Sequence, residues 1–131
     1  MSELAPISSN ATTMLVALAL DAATVKHAAM AQNIANANNE GYRAAQVDFD
    51  SQVAMFRDQL LAGGNDAAAK RAVESLRAGL HVTDAPDAEA AKVAIDVEVV
   101  KMTQNTLHYQ ALLTARGKLA AFMRMAVSGG R

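Results

Sequence analysis

A chain of 131 residues with net charge −1 has the size of one domain and no bulk field to draw in nucleic acid or a charged membrane. It lacks cysteine, which excludes disulfide scaffolds, thiol catalysis and thiolate metal sites. The 52% hydrophobic content overstates the core, because 30 residues are alanine and aromatics make up only 4%.

Apolar burial stabilises by roughly 25 cal/mol per Å², so alanine contributes little by burial and much by helix propensity. The composition predicts an all-α protein, marginal as a monomer, that buries its apolar stripes against partners.

Residues 1–10 read as a loose arm containing Pro6, and Asn10 or Thr12 is the expected N-cap of a first helix. The uncharged stretch 4–20 has Glu3 where a leader's basic region would stand, and its Pro, Ser, Asn and Thr residues are too polar for a bilayer span. The expectation is a chain that stays in the cytoplasm or leaves it without a cleaved signal.

Leu15, Leu18, Ala22, Val25 and Ala29 recur at three- and four-residue spacings, a narrow coiled-coil-like seam on a helix over 11–36. The helix leaves through Asn33-Ile34-Ala35-Asn36-Ala37-Asn38-Asn39-Glu40-Gly41-Tyr42. Asparagine tolerates turn conformations and bonds free helix-end carbonyls, and glycine permits positive φ. This segment is the expected hinge, with Asn33, Ile34, Asn36, Gly41 and Tyr42 as its candidate residues.

Residues 37–92 form the expected hinge and outer segment. Phe49, Val53, Phe56 and Leu60 mark a short helix capped by Asp48 or Asp50 and ended by Gly63-Gly64-Asn65. Ala69, Val73 and Leu76 mark another, with Asp66 as cap and Gly79 as stop. Residues 80–92 read as loop.

The last element, expected over 93–127, is the longest. Ile95, Val99, Met102, Thr106, Tyr109, Leu113, Arg116, Ala120, Met123 and Val127 alternate steps of four and three, and only Thr106 and Arg116 are neither apolar nor aromatic. Acids cluster before Glu98, whereas five bases and no acid lie between Lys101 and Arg131, as suits a helix macrodipole. Two long striped helices at the chain's ends predict an antiparallel, coiled-coil-like hairpin around a short helical and loop middle. The candidate assembly seam is Leu15, Leu18, Val25, Ile95, Val99, Met102, Tyr109, Leu113 and Met123.

Catalytic chemistry is not in view. His27, His81 and His108 lie on separate elements, no serine has a Gly-x-Ser-x-Gly context, and Gly63-Gly64 precedes no Gly-Lys-Ser/Thr. Arg43, Lys70, Arg71 and Arg77 lack the clustering and aromatics of a nucleic-acid surface. No catalytic residue, cofactor or metal is expected. A small helical adaptor or chaperone would need a broad apolar groove, and a four-helix-bundle metal enzyme would need Glu-x-x-His pairs that the chain lacks.

The Asn-rich exit closing in Gly41-Tyr42, with Val47-Asp48-Phe49 after it, resembles the N-terminal signature of the bacterial flagellar axial proteins, the rod, hook and junction subunits. The run Met102-Thr103-Gln104-Asn105-Thr106-Leu107-His108-Tyr109-Gln110-Ala111 and the short chain are closest to that family's proximal rod members. The family often has Thr-Pro where this chain has Asn39-Glu40.

The resemblance implies a non-enzymatic subunit of the flagellar basal body rod, exported without a cleaved signal and self-assembling in the periplasm through its terminal helices. Its implied partners are copies of itself and other rod, ring and export-apparatus proteins, with no nucleic acid and no membrane insertion. A sister proximal rod subunit is the alternative within the family.

Overall fold

The computed structural model describes residues 9–61, 66–86 and 92–129. Among these residues the chain forms four helices and one two-stranded ribbon: α1 (Ser9–Ala35), β1 (Ala45–Gln46), α2 (Asp50–Leu61), α3 (Asp66–Ala78), β2 (Thr83–Asp84) and α4 (Ile95–Gly129). At 1.5 Å per residue, the 35-residue α4 is about 52 Å long.

The two terminal helices pack against each other, as the end stripes predict. Thr13 donates to Met123 Sδ, Asn105 to the Ala23 carbonyl and Asn33 to Glu98. Rising numbers on α1 thus meet falling numbers on α4, so the pair is antiparallel.

α1 lies at the centre of the fold. On one face Leu18 and Ala22 enter a core with Phe49 and with Ala72, Val73 and Leu76 of α3, flanked by Met14, Leu15, Val53, Phe56 and Leu80. Ala69, Val73 and Leu76, one helical turn apart, are buried as their periodicity predicts. Leu76 is fully buried, so Leu76→Ala should lower the chemical-denaturation stability by about 2–5 kcal/mol, a large share for so small a core.

Two ion pairs fasten the middle segment to α1. Arg77 donates to Asp21, and Lys26 lies 3.6 Å from Asp50 and 5.8 Å from the centroid of the Phe49 ring. The stretch Ala11–Ala35 is, by length and composition, long and apolar enough to cross a membrane. In the fold the helix is flanked by α3 on one face and α4 on the other.

Several expected details change. Asn10 and Thr12 lie inside α1 rather than capping it. Neither Asp48 nor Asp50 caps α2: the Phe49 carbonyl accepts its first bond, from Val53 N–H, so Phe49 holds the cap position while its ring enters the core. Asp48 instead accepts the Ser51 hydroxyl.

Residues 83–84, expected as loop, pair antiparallel with β1, Ala45 opposite Asp84 and Gln46 opposite Thr83. Ala85 N–H extends the pairing to the Ala44 carbonyl, and Ala44 and Ala85 form a small second cluster with Val93. Arg43 closes over it by donating to the Ala85 carbonyl. Residues 1–8 of the expected arm and the expected Gly63-Gly64-Asn65 stop lie outside the described residues.

The Asn33 clamp and the faces of the terminal helices

Where α1 ends, the helical pattern relaxes in steps. Asn36 N–H still reaches Gln32 four residues back, then Ala37, Asn39 and Tyr42 each bond three residues back, to Ile34, Asn36 and Asn39. The asparagine side chains add bonds of their own to these turns. Asn36 Nδ2 donates to the Gln32 carbonyl at 2.9 Å, and Asn39 Nδ2 donates to Asn36 Oδ1 at 2.7 Å.

Gly41 has φ +80°, the one positive φ among the described residues, and occupies the third position of the turn closed by Tyr42 N–H and Asn39 O. A positive φ there with a bond across four residues defines a type II turn, which demands glycine third and favours proline second. The second position is Glu40, the proline position of the family's Thr-Pro.

Nothing lies within 4 Å of a Cβ added at Gly41, so only backbone strain opposes substitution. Gly41→Val should therefore lower stability by about 1–2 kcal/mol, while Glu40→Pro should raise it by about 0.4–1 kcal/mol. Thermal denaturation checks both.

Asn33, only 2% exposed, is the centre of the segment. Its Oδ1 accepts Ala45 N–H at 2.7 Å and the Tyr42 hydroxyl at 2.8 Å. Its Nδ2 donates to the Ala45 carbonyl at 2.9 Å and to Glu98 Oε2 at 3.2 Å. An amide has two donors and two acceptor sites, and all four are used.

One side chain therefore ties the end of α1 to the turn, to β1 and to the first turn of α4. Glu98, 7% exposed, also accepts from Lys101 at 3.3 Å. Desolvation holds the Tyr42 hydroxyl above the usual tyrosine range, reinforced by Asp84 and Glu98 and opposed by the Ala45 backbone, so Tyr42 stays a donor at neutral pH. Ile34 is half-buried beside the clamp.

The candidate seam residues divide. Leu18 is buried and Leu15 half-buried, but both belong to the α3-facing core, and Val25 is half-buried. α1 turns a different face to α4, through Thr13 and Ala23, which bond across, and Leu20, seven residues after Thr13 and buried outside the α3 core, while Asn33 continues the Leu18–Ala22 line at its far end.

On α4, Met102, Tyr109 and Met123 are half-buried, while Ile95, Val99 and Leu113 are exposed. The helix's inner line runs through Glu98, Met102, Asn105, Tyr109 and Leu112, with Asn105 buried and donating to Ala23 O at 2.8 Å. The exposed members lie one helical step to the side. There an open groove of about 450 Å³ runs between the helices, lined by Ala23, Thr24, His27, Ala28, Asn105, Thr106 and Tyr109.

The sequence reading missed a second ridge. Val97, Val100, Leu107 and Ala111, at steps of three, seven and four, follow an uncovered side of α4, and Phe122 and Met125 continue it. Leu107 is 61% exposed and Phe122 67%. The same four–three spacing that suggested one stripe holds for both, so α4 has no single apolar face. Among the described residues no group of three or more His, Asp or Glu could hold a metal.

A long antiparallel helix pair with an uncovered apolar ridge, fastened by a buried polar clamp, defines the class of a helical structural subunit. The flagellar basal body rod protein FlgB of Salmonella typhimurium is 32% identical to this chain over 112 residues, covering 77% of this chain and 81% of that protein. The chain belongs to this family of flagellar basal body rod proteins. No protein-family model matches it, and no solved structure does.

Proposed function

We propose that this protein self-assembles through its terminal helices into the proximal part of the flagellar rod, the shaft that carries torque. The observation that carries the reading is the outer ridge of α4, with Leu107, Phe122 and Met125 all more than half exposed. A helix about 52 Å long that contacts its own chain on one face leaves the other faces for neighbours.

Ile95, Val99 and Leu113, beside the open groove, supply a further contact line, so each pair can be enclosed by others in a tube. Leu15 and Leu18 serve the assembly indirectly by holding α1 on α3. The clamp of Asn33 with Gly41 and Tyr42 acts as the hinge, turning the chain out of α1 into an outer layer made of α2, α3 and the ribbon.

The subunit works without catalysis. Its partners are copies of itself and other rod, ring and export-apparatus proteins, and it reaches the periplasmic rod through the flagellar export route. Deleting the chain in its host should abolish swimming and leave basal bodies without a complete rod. Normal swimming with intact basal bodies would refute the reading.

A further inference from the structure

The β1–β2 ribbon has two residue pairs, and a two-stranded ribbon that short is not stable alone. It leans on Asn33, whose amide takes both the N–H and the carbonyl of Ala45. The first turns of α4 are held as sparsely. Ile95, Val97, Val99 and Val100 are each more than two-fifths exposed, and Glu98 is the buried residue among them. The next buried position of α4 is Asn105.

These two weak pieces share their anchors. Asn33 Nδ2 meets the Ala45 carbonyl at 2.9 Å and Glu98 Oε2 at 3.2 Å. Val93, two residues ahead of α4, packs on Ala44 and Ala85, which flank the paired residues Ala45 and Asp84. Lifting either piece therefore breaks contacts that hold the other. The larger core between α1 and α3 takes no described residue from β1, β2 or α4, so it can stay closed while they open. Few buried apolar contacts are the mark of a segment that opens more easily than the whole chain unfolds.

We propose that the ribbon and the first turns of α4 open and close as one unit, joined through Asn33, so that a neighbour covering Val97 and Val100 also holds the ribbon shut. Anything that binds only the closed form stabilises all of it. The use of this link in the rod rests on the assembly reading, whereas the joint opening is a property of the single chain.

Residue-by-residue amide hydrogen exchange on the full chain tests the link. In the unmodified protein the Ala45, Ala85 and Val100 amides should share one opening free energy, and Val73, in the α3-facing core, should exchange more slowly. Glu98→Ala removes an acceptor for Asn33 that exists only in the closed unit. It should speed all three amides by one common factor of about ten to a hundred. Glu98→Gln keeps an oxygen for Asn33 Nδ2 and should stay within about threefold of the original rates. Coupling is reciprocal. Arg43→Ala removes the bond to the Ala85 carbonyl from an exposed position on the ribbon side, and should speed Val100 as much as Ala45.

The proposal is overturned if Glu98→Ala speeds Val100 and leaves Ala45 and Ala85 unchanged, or if Arg43→Ala speeds the ribbon amides alone. It is overturned equally if Val73 opens together with the ribbon in the unmodified chain, because no separate unit then exists. Should Glu98→Ala fail to fold, Arg43→Ala carries the test, since that side chain is exposed. Independent opening leaves the rod reading standing, and a chain absent from basal bodies leaves the joint opening standing.

Discussion

Asn33→Asp, a change of one atom type, is expected to remove about 3–5 kcal/mol of stability. The new carboxylate can still accept from Ala45 N–H and the Tyr42 hydroxyl, as Asn33 Oδ1 does. The other oxygen replaces a donor. It faces the Ala45 carbonyl and the Glu98 carboxylate, which Asn33 Nδ2 now meets at 2.9 and 3.2 Å.

Two bonds are lost, two acceptors are left facing an acceptor, and one of them is charged. At a site 2% exposed, water offers little relief. Glu98→Gln in the same chain supplies an amide that can donate to the new carboxylate. The double variant should therefore recover about 1–3 kcal/mol relative to additivity. Urea denaturation of the four proteins in the cycle measures this, and strict additivity would mean that Asn33 and Glu98 do not act as a pair.

The second large effect belongs to the outer ridge. Val100→Glu with Leu107→Glu should leave the isolated chain within about 0.5 kcal/mol of its original stability, since both side chains are more than half exposed. Assembly should fail. Each side chain buried at a contact contributes about 1.5–3 kcal/mol, so losing both weakens that contact by at least about 100-fold before any penalty for a buried charge.

Cells relying on this variant should not swim, while circular dichroism of the purified chain stays unchanged. Lys70→Glu, at an exposed position of α3 rather than α4, should swim normally and serves as the control. A swimming ridge variant would mean that this face of α4 is not an assembly surface.

What could be read from the residues was mostly local. Turn chemistry made the Asn-rich exit conspicuous, because asparagine and glycine act on backbone within a few positions. The buried face of α3 was legible because Ala69, Val73 and Leu76 follow one helical period on an otherwise polar helix.

Long-range partners were not legible. Nothing near Asn33 points to Glu98, 65 residues away, and Glu98 reads as an ordinary acid in a first helical turn. The ribbon escaped notice because its strands have two residues each, too few for an alternating pattern.

Periodicity also misdirected the assignment of faces. In α1 the Leu15–Leu18–Ala22 line was strong because it packs on α3, while the α4-facing line through Thr13 and Ala23 is too small to stand out. In α4, apolar residues on the inner line, beside the groove and on the outer ridge all share the four–three spacing. A helix apolar on several faces yields a period but not a direction, and only the folded chain shows which stripe is already covered.

The most direct test of the account is electron cryomicroscopy of basal bodies purified from the host. The account predicts copies of this chain in the proximal rod, with α1 and α4 paired in the alignment that joins Asn105 to Ala23 and with Leu107, Phe122 and Met125 covered by neighbouring subunits. A rod that lacks the chain, or one in which that ridge of α4 faces solvent, would contradict it.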